Sequence, residues 1–208
     1  MSSKPRPRPK AVLFDLGKVI LHFNFEPAFA RLARRTALSE KDIEDFFVSS
    51  GLEVLYDGGK ISSRRFYGEV RKGLRLRMDY RSFRSAWNRI FTPNLPVIRL
   101  VRRLKARGLR LVLVSNTNAM HYAYIRSRYR ILRSLDRHVL SFRERTRKPD
   151  ARIYRTAARA CGARPSDIFY IDDREDLTSA ARELGFRVFT YKKNTPELER
   201  ALRREGLL

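Results

Sequence analysis

The chain has 208 residues, 43% of them hydrophobic, which suits one domain plus an insertion and buries roughly 70% of the unfolded surface. Its 46 Lys and Arg residues against 22 Asp and Glu residues give a formal net charge of +24 at pH 7, spread along the whole sequence. One cysteine excludes an internal disulfide, no apolar run approaches the roughly 18 residues of a membrane helix, and no signal-peptide stretch is visible, so we expect a cytoplasmic protein.

Residues 1–10 alternate proline with basic residues and offer nothing to bury, which predicts a disordered tail. A basic excess can mark a nucleic-acid partner. Many arginines, however, recur at helical spacing, as at Arg31, Arg34 and Arg35, which is typical of solvated helix faces. No RNA-recognition, zinc-finger or helix-turn-helix motif is present, so a nucleic-acid partner stays an alternative that no motif supports.

The first strand is predicted at Ala11–Phe14, where four apolar residues follow one another. After this strand the pattern of apolar residues changes: from about Asn24 to Ile90 they recur at helical spacing. Ser39 and Ser82 are candidate helix starts within this block. We therefore predict a helical insertion at residues 24–91 whose aromatic residues form its own core.

From residue 92 onward, helices and short apolar strands alternate. Strands are predicted at 110–114, 138–142, 168–172 and 186–191, and helices at 97–107, after 118, at 150–161 and at 176–184. Continuous β-branched and aromatic runs favour strands buried on both faces, as in a parallel sheet. The predicted fold class is α/β, a Rossmann-like doubly wound parallel sheet formed by residues 11–23 and 92–208.

Three of these strands end in polar clusters: Asp15, then Ser115-Asn116, then Asp172-Asp173. In parallel sheets the carboxyl ends of the strands meet at one edge, where ligands bind. A strand-terminal aspartate can attack phosphorus, although it can equally form a turn. Two adjacent acids repel each other unless a cation neutralises them, and their hard oxygens suit Mg²⁺, although a helix-capping pair is the alternative. A metal and phosphate site is therefore expected at this edge.

A lysine completes the pattern. Lys148 precedes Pro149 between the third and fourth predicted strands, just before a helix. In a chain this basic a lysine alone carries little information, but its place in the order of the motifs is specific. It could neutralise charge that develops on a transferring phosphoryl group.

The segments Phe14–Ile20, Val114–Asn118, Lys148–Asp150 and Asp172-Asp173 resemble, in order and spacing, the four motifs of the haloacid dehalogenase-like hydrolases. The resemblance covers nearly everything after residue 10. The chain most resembles the bacterial phosphatases similar to alpha-D-glucose-1-phosphate phosphatase and the amino-terminal phosphatase domain of soluble epoxide hydrolases. It implies that residues 24–91 form a small C1-type cap domain. It also implies a Mg²⁺-dependent phosphatase that hydrolyses a small phosphorylated metabolite, such as a sugar phosphate, through an aspartyl-phosphate.

The resemblance makes Asp15 the nucleophile. It implies that Mg²⁺ is held by Asp15, the Gly17 carbonyl and Asp173, with Asp172 beside them. These residues would form the metal half of the site.

The same resemblance assigns the phosphoryl half of the site. Ser115 and Asn116 would bind the transferring group, and Lys148 would stabilise it and hold Asp15. The cap would close over the site and supply the contacts that set substrate specificity.

Two positions depart from the family pattern. Most phosphatases of the superfamily carry a second aspartate two positions after the nucleophile as general acid and base, whereas this chain has Gly17. A metal-bound water, His22 or Asp57 could supply the proton instead. Relatives also often place Asn or Asp four residues after the second acid of the pair, where this chain has Leu177 beside Asp176.

Two other functions stay open. A haloacid dehalogenase would keep the aspartate nucleophile, attack carbon and need no metal, which the Asp172-Asp173 pair disfavours. A catalytically impaired member would instead use its basic surface to bind nucleic acid or another acidic partner. Metal-dependent turnover favours the phosphatase, and salt-sensitive association with nucleic acid favours the binding protein.

Overall fold

The computed structural model describes residues 7–208. Its strands, in chain order, are β1 (Ala11–Phe14), β2 (Leu21–Phe23), β3 (Phe91–Pro93), β4 (Arg110–Ser115), β5 (Arg137–Leu140), β6 (Ile168–Asp172) and β7 (Arg187–Thr190). Five of them form one parallel sheet in the order β5-β4-β1-β6-β7. This arrangement confirms the predicted α/β, Rossmann-like parallel sheet.

Strand β1 is the centre of the sheet, with β4 on one side and β6 on the other. Phe14 is in register with Leu113 of β4 and Ile171 of β6, and all four residues of β1 are buried. Because β4 and β5 lie on one side of β1 while β6 and β7 lie on the other, the strand order reverses at β1, and this is where such sheets bind ligands. The residues that follow Phe14 therefore enter a crevice at the carboxyl edge.

The helices are α1 (Glu26–Ala33), α2 (Glu40–Ser50), α3 (Leu52–Asp57), α4 (Ser63–Gly73), α5 (Tyr80–Asn88), α6 (Leu95–Ala106), α7 (Ala119–Arg128), α8 (Ser141–Glu144), α9 (Ala151–Cys161), α10 (Glu175–Glu183) and α11 (Thr195–Arg204). Short 3₁₀ turns lie at Arg130–Ser134 and Pro165–Asp167. No helix within residues 7–208 has the length and apolar character needed to cross a membrane.

Alternate strand residues pack on opposite faces of the sheet. Val12 and Phe14 belong to one buried cluster with residues of α6, α7 and α11, whereas Ala11 and Leu13 belong to another with residues of α9 and α10. Helices thus cover both faces, which explains why the strands show no polar alternation in the sequence.

Helices α1 to α5 pack around their own aromatic cluster. Phe66, Phe83 and Trp87 are fully buried in it. Ser39 begins α2 in a capping box with Asp42, as its position indicates. Helix α5, however, begins after Asp79, whose carboxylate accepts from the Ser82 amide at 2.7 Å, so the suggested start at Ser82 is three residues late.

The short antiparallel pair β2–β3 joins the two ends of the helical insertion and was not predicted. Strands of three residues are too short for their periodicity to show. The predicted strand 138–142 ends at Leu140, because α8 begins at Ser141.

Residues 1–6 of the predicted tail lie outside the described residues. In the remainder of that segment, the Lys10 amide donates to the Asp167 carbonyl at 2.7 Å, and Arg187 Nη2 donates to the Pro7 carbonyl at 2.7 Å. The stretch 7–10 therefore lies along the sheet domain.

Candidate active site

A cavity of about 320 Å³ lies at the carboxyl edge of the sheet, between the strand ends and the helical insertion. Side chains from both parts of the molecule line it. The sheet side contributes Asp15, Gly17, Lys18, Ser115, Asn116, Asn118, Lys148, Asp172 and Asp173, and the other side Phe23, Phe25, Glu53, Asp57, Trp87, Ile90 and Phe91. All the residues assigned to metal or phosphate by the sequence meet in this one place.

Three carboxylates converge in the cavity. Oxygen atoms of Asp15, Asp172 and Asp173 lie within 4.8 Å of one another. Burial, together with repulsion from the other two acids, raises the pKa of Asp15 to about 7 against the opposing effect of Lys148. Burial and Asp172 likewise raise the pKa of Asp173. Hard oxygen donors crowded in this way fit a small divalent cation, which would relieve their repulsion.

Lys148 bridges two of the acids. Its Nζ lies 2.6 Å from Asp15 Oδ1 and 2.6 Å from Asp172 Oδ2, and the side chain is 1% exposed. Burial alone would lower the pKa of this ammonium, but the two carboxylates raise it above its ordinary value. The lysine is therefore a fixed positive charge between Asp15 and Asp172.

The two acids of the pair differ in their surroundings. Asp172 is fully buried, and its oxygens accept from Lys148, from the Tyr170 hydroxyl and from the Arg174 amide at 3.0 Å. The Asp173 side chain has no hydrogen-bond partner among residues 7–208. Asp172 is thus held in place by three donors, whereas no other described residue donates a hydrogen bond to the Asp173 carboxylate.

Ser115 ends β4 and Asn116 follows it, but their side chains have different surroundings. Within residues 7–208 the buried Ser115 hydroxyl makes only a long 3.4 Å contact with the Asn116 carbonyl, and Ser115 lines the cavity. The Asn116 side chain instead donates to the Lys148 carbonyl at 3.0 Å and accepts from the Lys148 amide at 2.8 Å. The Asn116 side chain therefore holds the Lys148 loop, and its predicted contact with phosphate stays a prediction.

The space beside Gly17 is occupied by an aromatic ring. A Cβ at this position would lie 2.9 Å from Phe23 Cε1 and 3.9 Å from Asp15 Oδ2. Phe23 itself packs against Phe25 and Phe91. An aspartate at residue 17 would therefore displace the Phe23 ring. Glycine at this position leaves the space that the ring occupies.

Helix α3 is fastened to the sheet domain by hydrogen bonds. Asn118 Nδ2 donates to Asp57 Oδ1 at 3.0 Å, Ser141 Oγ donates to the Asp57 carbonyl at 2.5 Å, and the Met120 amide donates to the Tyr56 hydroxyl at 3.0 Å. At Gly59, where φ is +65°, an added Cβ would lie 2.1 Å from the Phe142 carbonyl oxygen. Only glycine permits so close an approach.

This fastening places a second acidic pair in the cavity. Burial and the neighbouring Asp57 raise the pKa of Glu53 to about 7, and Arg147 opposes that rise. Burial also raises the pKa of Asp57, against the effects of Asn118 and Arg147. Asp57 was a candidate from the sequence, but Glu53 was not, because helical periodicity does not show which polar residue faces the sheet. Arg147, which lies outside the helices, was not a candidate either.

Other candidates lie elsewhere. His22 lies on β2, opposite Thr92, and is not among the residues lining the cavity. Asp176 is in the first turn of α10, paired with Arg174 at 2.5 Å and exposed, while Leu177 lines the cavity. His121 also lines it and was missed; burial lowers its pKa to about 3, which keeps the ring neutral.

Comparisons with known proteins match this picture. A family model described as haloacid dehalogenase-like hydrolase matches residues 9–185. A HAD-family enzyme of Bacteroides thetaiotaomicron, solved with magnesium and inorganic phosphate, is similar with 25% identity and a TM-score of 0.78 over 88% of this chain and 94% of its own.

Two further structures share the fold. A predicted HAD-like hydrolase of Porphyromonas gingivalis is 23% identical, with a TM-score of 0.79, over 95% of this chain and 98% of its own. L-2-haloacid dehalogenase of Xanthobacter autotrophicus is 19% identical, with a TM-score of 0.62, over 86% of this chain and 76% of its own. The fold therefore accommodates more than one reaction, and the choice between them rests on the residues of the cavity.

Proposed function

Because the chain belongs to the haloacid dehalogenase-like hydrolases, we propose that it is a Mg²⁺-dependent phosphatase acting on a small phosphorylated metabolite. The observation that carries the proposal is the cluster of three carboxylates around Asp15, with Lys148 at 2.6 Å from two of them. The magnesium and phosphate bound to the Bacteroides thetaiotaomicron relative support the same chemistry.

Asp15, Asp173 and the Gly17 carbonyl would hold the Mg²⁺, with Asp172 beside it. All are hard oxygen donors at one edge of the cavity, and the Asp173 carboxylate has no competing partner in the described part of the chain. When bound, Mg²⁺ would neutralise the crowded carboxylates and phosphate oxygens.

In the first step Asp15 attacks phosphorus. A bond forms between an Asp15 oxygen and phosphorus while the bond from phosphorus to the substrate oxygen breaks, leaving an aspartyl-phosphate. Lys148 neutralises the charge that develops, and the Ser115 hydroxyl donates to a phosphoryl oxygen. Asn116 contributes by holding the Lys148 loop in place.

The leaving oxygen needs a proton, and we assign Glu53 as the residue that donates it. This carboxyl lines the cavity, has a pKa near 7, and has no hydrogen-bond partner among residues 7–208, whereas Asp57 already accepts from Asn118. The resulting Glu53 carboxylate then takes a proton from the water that attacks phosphorus in the second step. The bond between phosphorus and the Asp15 oxygen breaks, which releases inorganic phosphate and regenerates the Asp15 carboxylate and the Glu53 carboxyl.

The helical insertion, residues 24–91, would act as the cap that shields this chemistry from solvent. Its aromatic residues Phe25, Trp87 and Phe91 line the cavity opposite the carboxylates. Flat apolar rings beside polar carboxyls suit the faces and hydroxyls of a sugar, and about 320 Å³ lies in the size range of small-molecule sites. A sugar phosphate is therefore the substrate class we propose.

The test is phosphate release from an aryl phosphate and from a panel of sugar phosphates, with Mg²⁺ and with EDTA. We expect Mg²⁺-dependent release that disappears in Asp15→Asn and persists in the matched control Asp45→Asn, an exposed acid on α2. Silence toward every phosphate in a folded protein that binds Mg²⁺ would contradict the proposal.

A dehalogenase is the second candidate, because the fold is shared with one. It would release halide from a 2-haloacid without Mg²⁺. Halide release that is unaffected by EDTA, with no phosphate release, would favour it over the phosphatase.

A further inference from the structure

A second groove, of about 650 Å³, lies on the helical insertion beside α1 and α5. Among residues 7–208, five arginines line it, together with small or neutral residues, and no acid does. Its lining is Arg31, Arg34, Arg35, Met78, Arg81, Ser82, Ser85, Ala86 and Arg89. We refer to it as the arginine groove. No residue lines both this groove and the cavity at the sheet edge.

Helical spacing produces the groove. Arg81 and Arg89 lie eight residues apart along α5 and its C-terminal cap, so they share one face with Ser85, while Trp87 and Ile90 face the other cavity. Arg31 and Arg35 are likewise four residues apart. Like charges at this spacing repel each other. No acid among residues 7–208 lines the groove, although Asp79, just before α5, attracts the Arg81 guanidinium.

The five guanidinium groups are unpaired. Among residues 7–208, none of them forms an ion pair with a carboxylate, whereas Arg103 and Arg187 pair with Glu199 and Glu205 elsewhere. The Nη1 atom of Arg31 is, in addition, buried without a hydrogen-bond acceptor.

We propose that the arginine groove binds the phosphodiester backbone of single-stranded nucleic acid. Guanidinium groups match the geometry of phosphate oxygens, and several of them in one groove need several anions at successive positions, which an extended chain of phosphates provides. The formal charge of +24 adds long-range attraction for a polyanion.

The volume and the lining of the groove indicate the kind of binding. A flexible single strand can enter a concavity of about 650 Å³. No aromatic side chain lines the groove, so bases have no stacking platform there. Contacts are made to the backbone, and binding is independent of base sequence.

The experiment measures the affinity of the full chain for a fluorescent oligothymidine, by anisotropy, over a series of salt concentrations. One variant carries Arg34→Gln, Arg35→Gln, Arg81→Gln and Arg89→Gln, all exposed positions. The control carries four exposed changes outside the groove: Arg99→Gln, Arg102→Gln, Arg200→Gln and Arg204→Gln. Both variants lose the same charge, and thermal unfolding checks that both are folded.

We expect the wild type to bind with an affinity that falls as salt rises. Each lost phosphate contact lowers the slope of log K against log[salt] by about 0.7 for a single strand, so the groove variant should lose about 3 in slope. The control should keep the wild-type slope. An oligoadenosine of equal length should bind equally well.

Three outcomes would overturn the proposal. The first is no binding by the wild type at low salt. The second is an equal loss in the control variant, because the attraction would then belong to the whole surface. The third is displacement of the oligonucleotide by inorganic polyphosphate at a lower phosphate concentration than by unlabelled oligonucleotide, because the groove would then prefer another polyanion.

Discussion

The two halves of the cavity are built differently. On the sheet side, Lys148 contacts two carboxylates at 2.6 Å, and Asp172 accepts from three donors, so the charged groups fix one another. On the side of the helical insertion, Glu53 has no hydrogen-bond partner within the described residues, and aromatic rings make up most of the surface.

The two sides of the cavity therefore have different roles in our account: the sheet side holds the reacting groups, and the other side contacts the leaving group. On the sheet side each charged group is held by another, which keeps Asp15 and Lys148 in fixed positions. Phosphoryl transfer depends on such positioning. A surface of rings with one free carboxyl can accept leaving groups of different shape. We therefore expect changes on the sheet side to stop the reaction with any substrate, and changes on the other side to depend on the leaving group.

The largest effect should follow Lys148→Met. The change leaves Asp15 and Asp172 buried without their shared cation, which should lower the free energy of unfolding by about 3–5 kcal/mol and turnover by at least about 10³-fold. Unfolding is measured in EDTA and turnover with Mg²⁺. The control Lys105→Met breaks a partly exposed pair with Asp136 at the surface and should cost at most about 1 kcal/mol. Equal destabilisation by the two changes would contradict the account.

Glu53→Gln should slow the hydrolysis of sugar phosphates by about 10²-fold or more, because their leaving oxygen needs a proton. Aryl phosphates have better leaving groups and should lose much less.

The pH profile sharpens the same prediction. Burial and Asp57 raise the pKa of Glu53 to about 7, against Arg147, so the proton is present below pH 7 and lost as the pH rises through 7. Wild-type kcat for a sugar phosphate should fall over that range, and Glu53→Gln should lack this limb. An equal loss with both substrate classes would remove Glu53 as the proton donor.

Asp173→Asn should weaken the apparent affinity for Mg²⁺ by at least about tenfold, because the change removes a charged ligand that has no protein partner. The measurement is activity as a function of Mg²⁺ concentration. Asp176→Asn, three residues further along and paired with Arg174, should leave the titration unchanged. Identical curves for wild type and Asp173→Asn would show that this carboxylate does not bind the metal.

The smallest effect should come from Gly17→Asp, which restores the acid that related phosphatases carry. Because Phe23 Cε1 would lie 2.9 Å from the new Cβ, the single change should lower activity a few-fold. Adding Phe23→Ala opens the space and should recover activity above the single variant. If Gly17→Asp alone raised activity, Phe23 would not obstruct this position.

The sheet side of the site could be predicted from the sequence because topology places strand ends together. The runs before Asp15, Ser115 and Asp172 predict parallel strands, and the edge they share follows from the fold. The role of Asn116 was not predictable, because both its hydrogen bonds reach Lys148, 32 residues away.

The other side could not be predicted because it depends on how helices pack. The periodicity of α3 places its apolar residues but leaves the direction of Glu53 open. The hydrogen bonds from Asn118 and Ser141 to Asp57 settle that direction, and they join residues 61 and 84 positions apart. The sequence likewise does not show that Asp79, and not Ser82, caps α5, because either side chain can cap a helix.

The most direct test of the central claim, that the sheet side performs the reaction through Asp15, is to identify the phosphorylated residue during turnover. The wild type is mixed with Mg²⁺ and a hydrolysed substrate and quenched in acid, and its peptides are examined by mass spectrometry. We predict phosphate on Asp15, and none in Asp15→Asn. Phosphate on another residue, or steady turnover with Asp15 never modified at any quench time, would contradict the account.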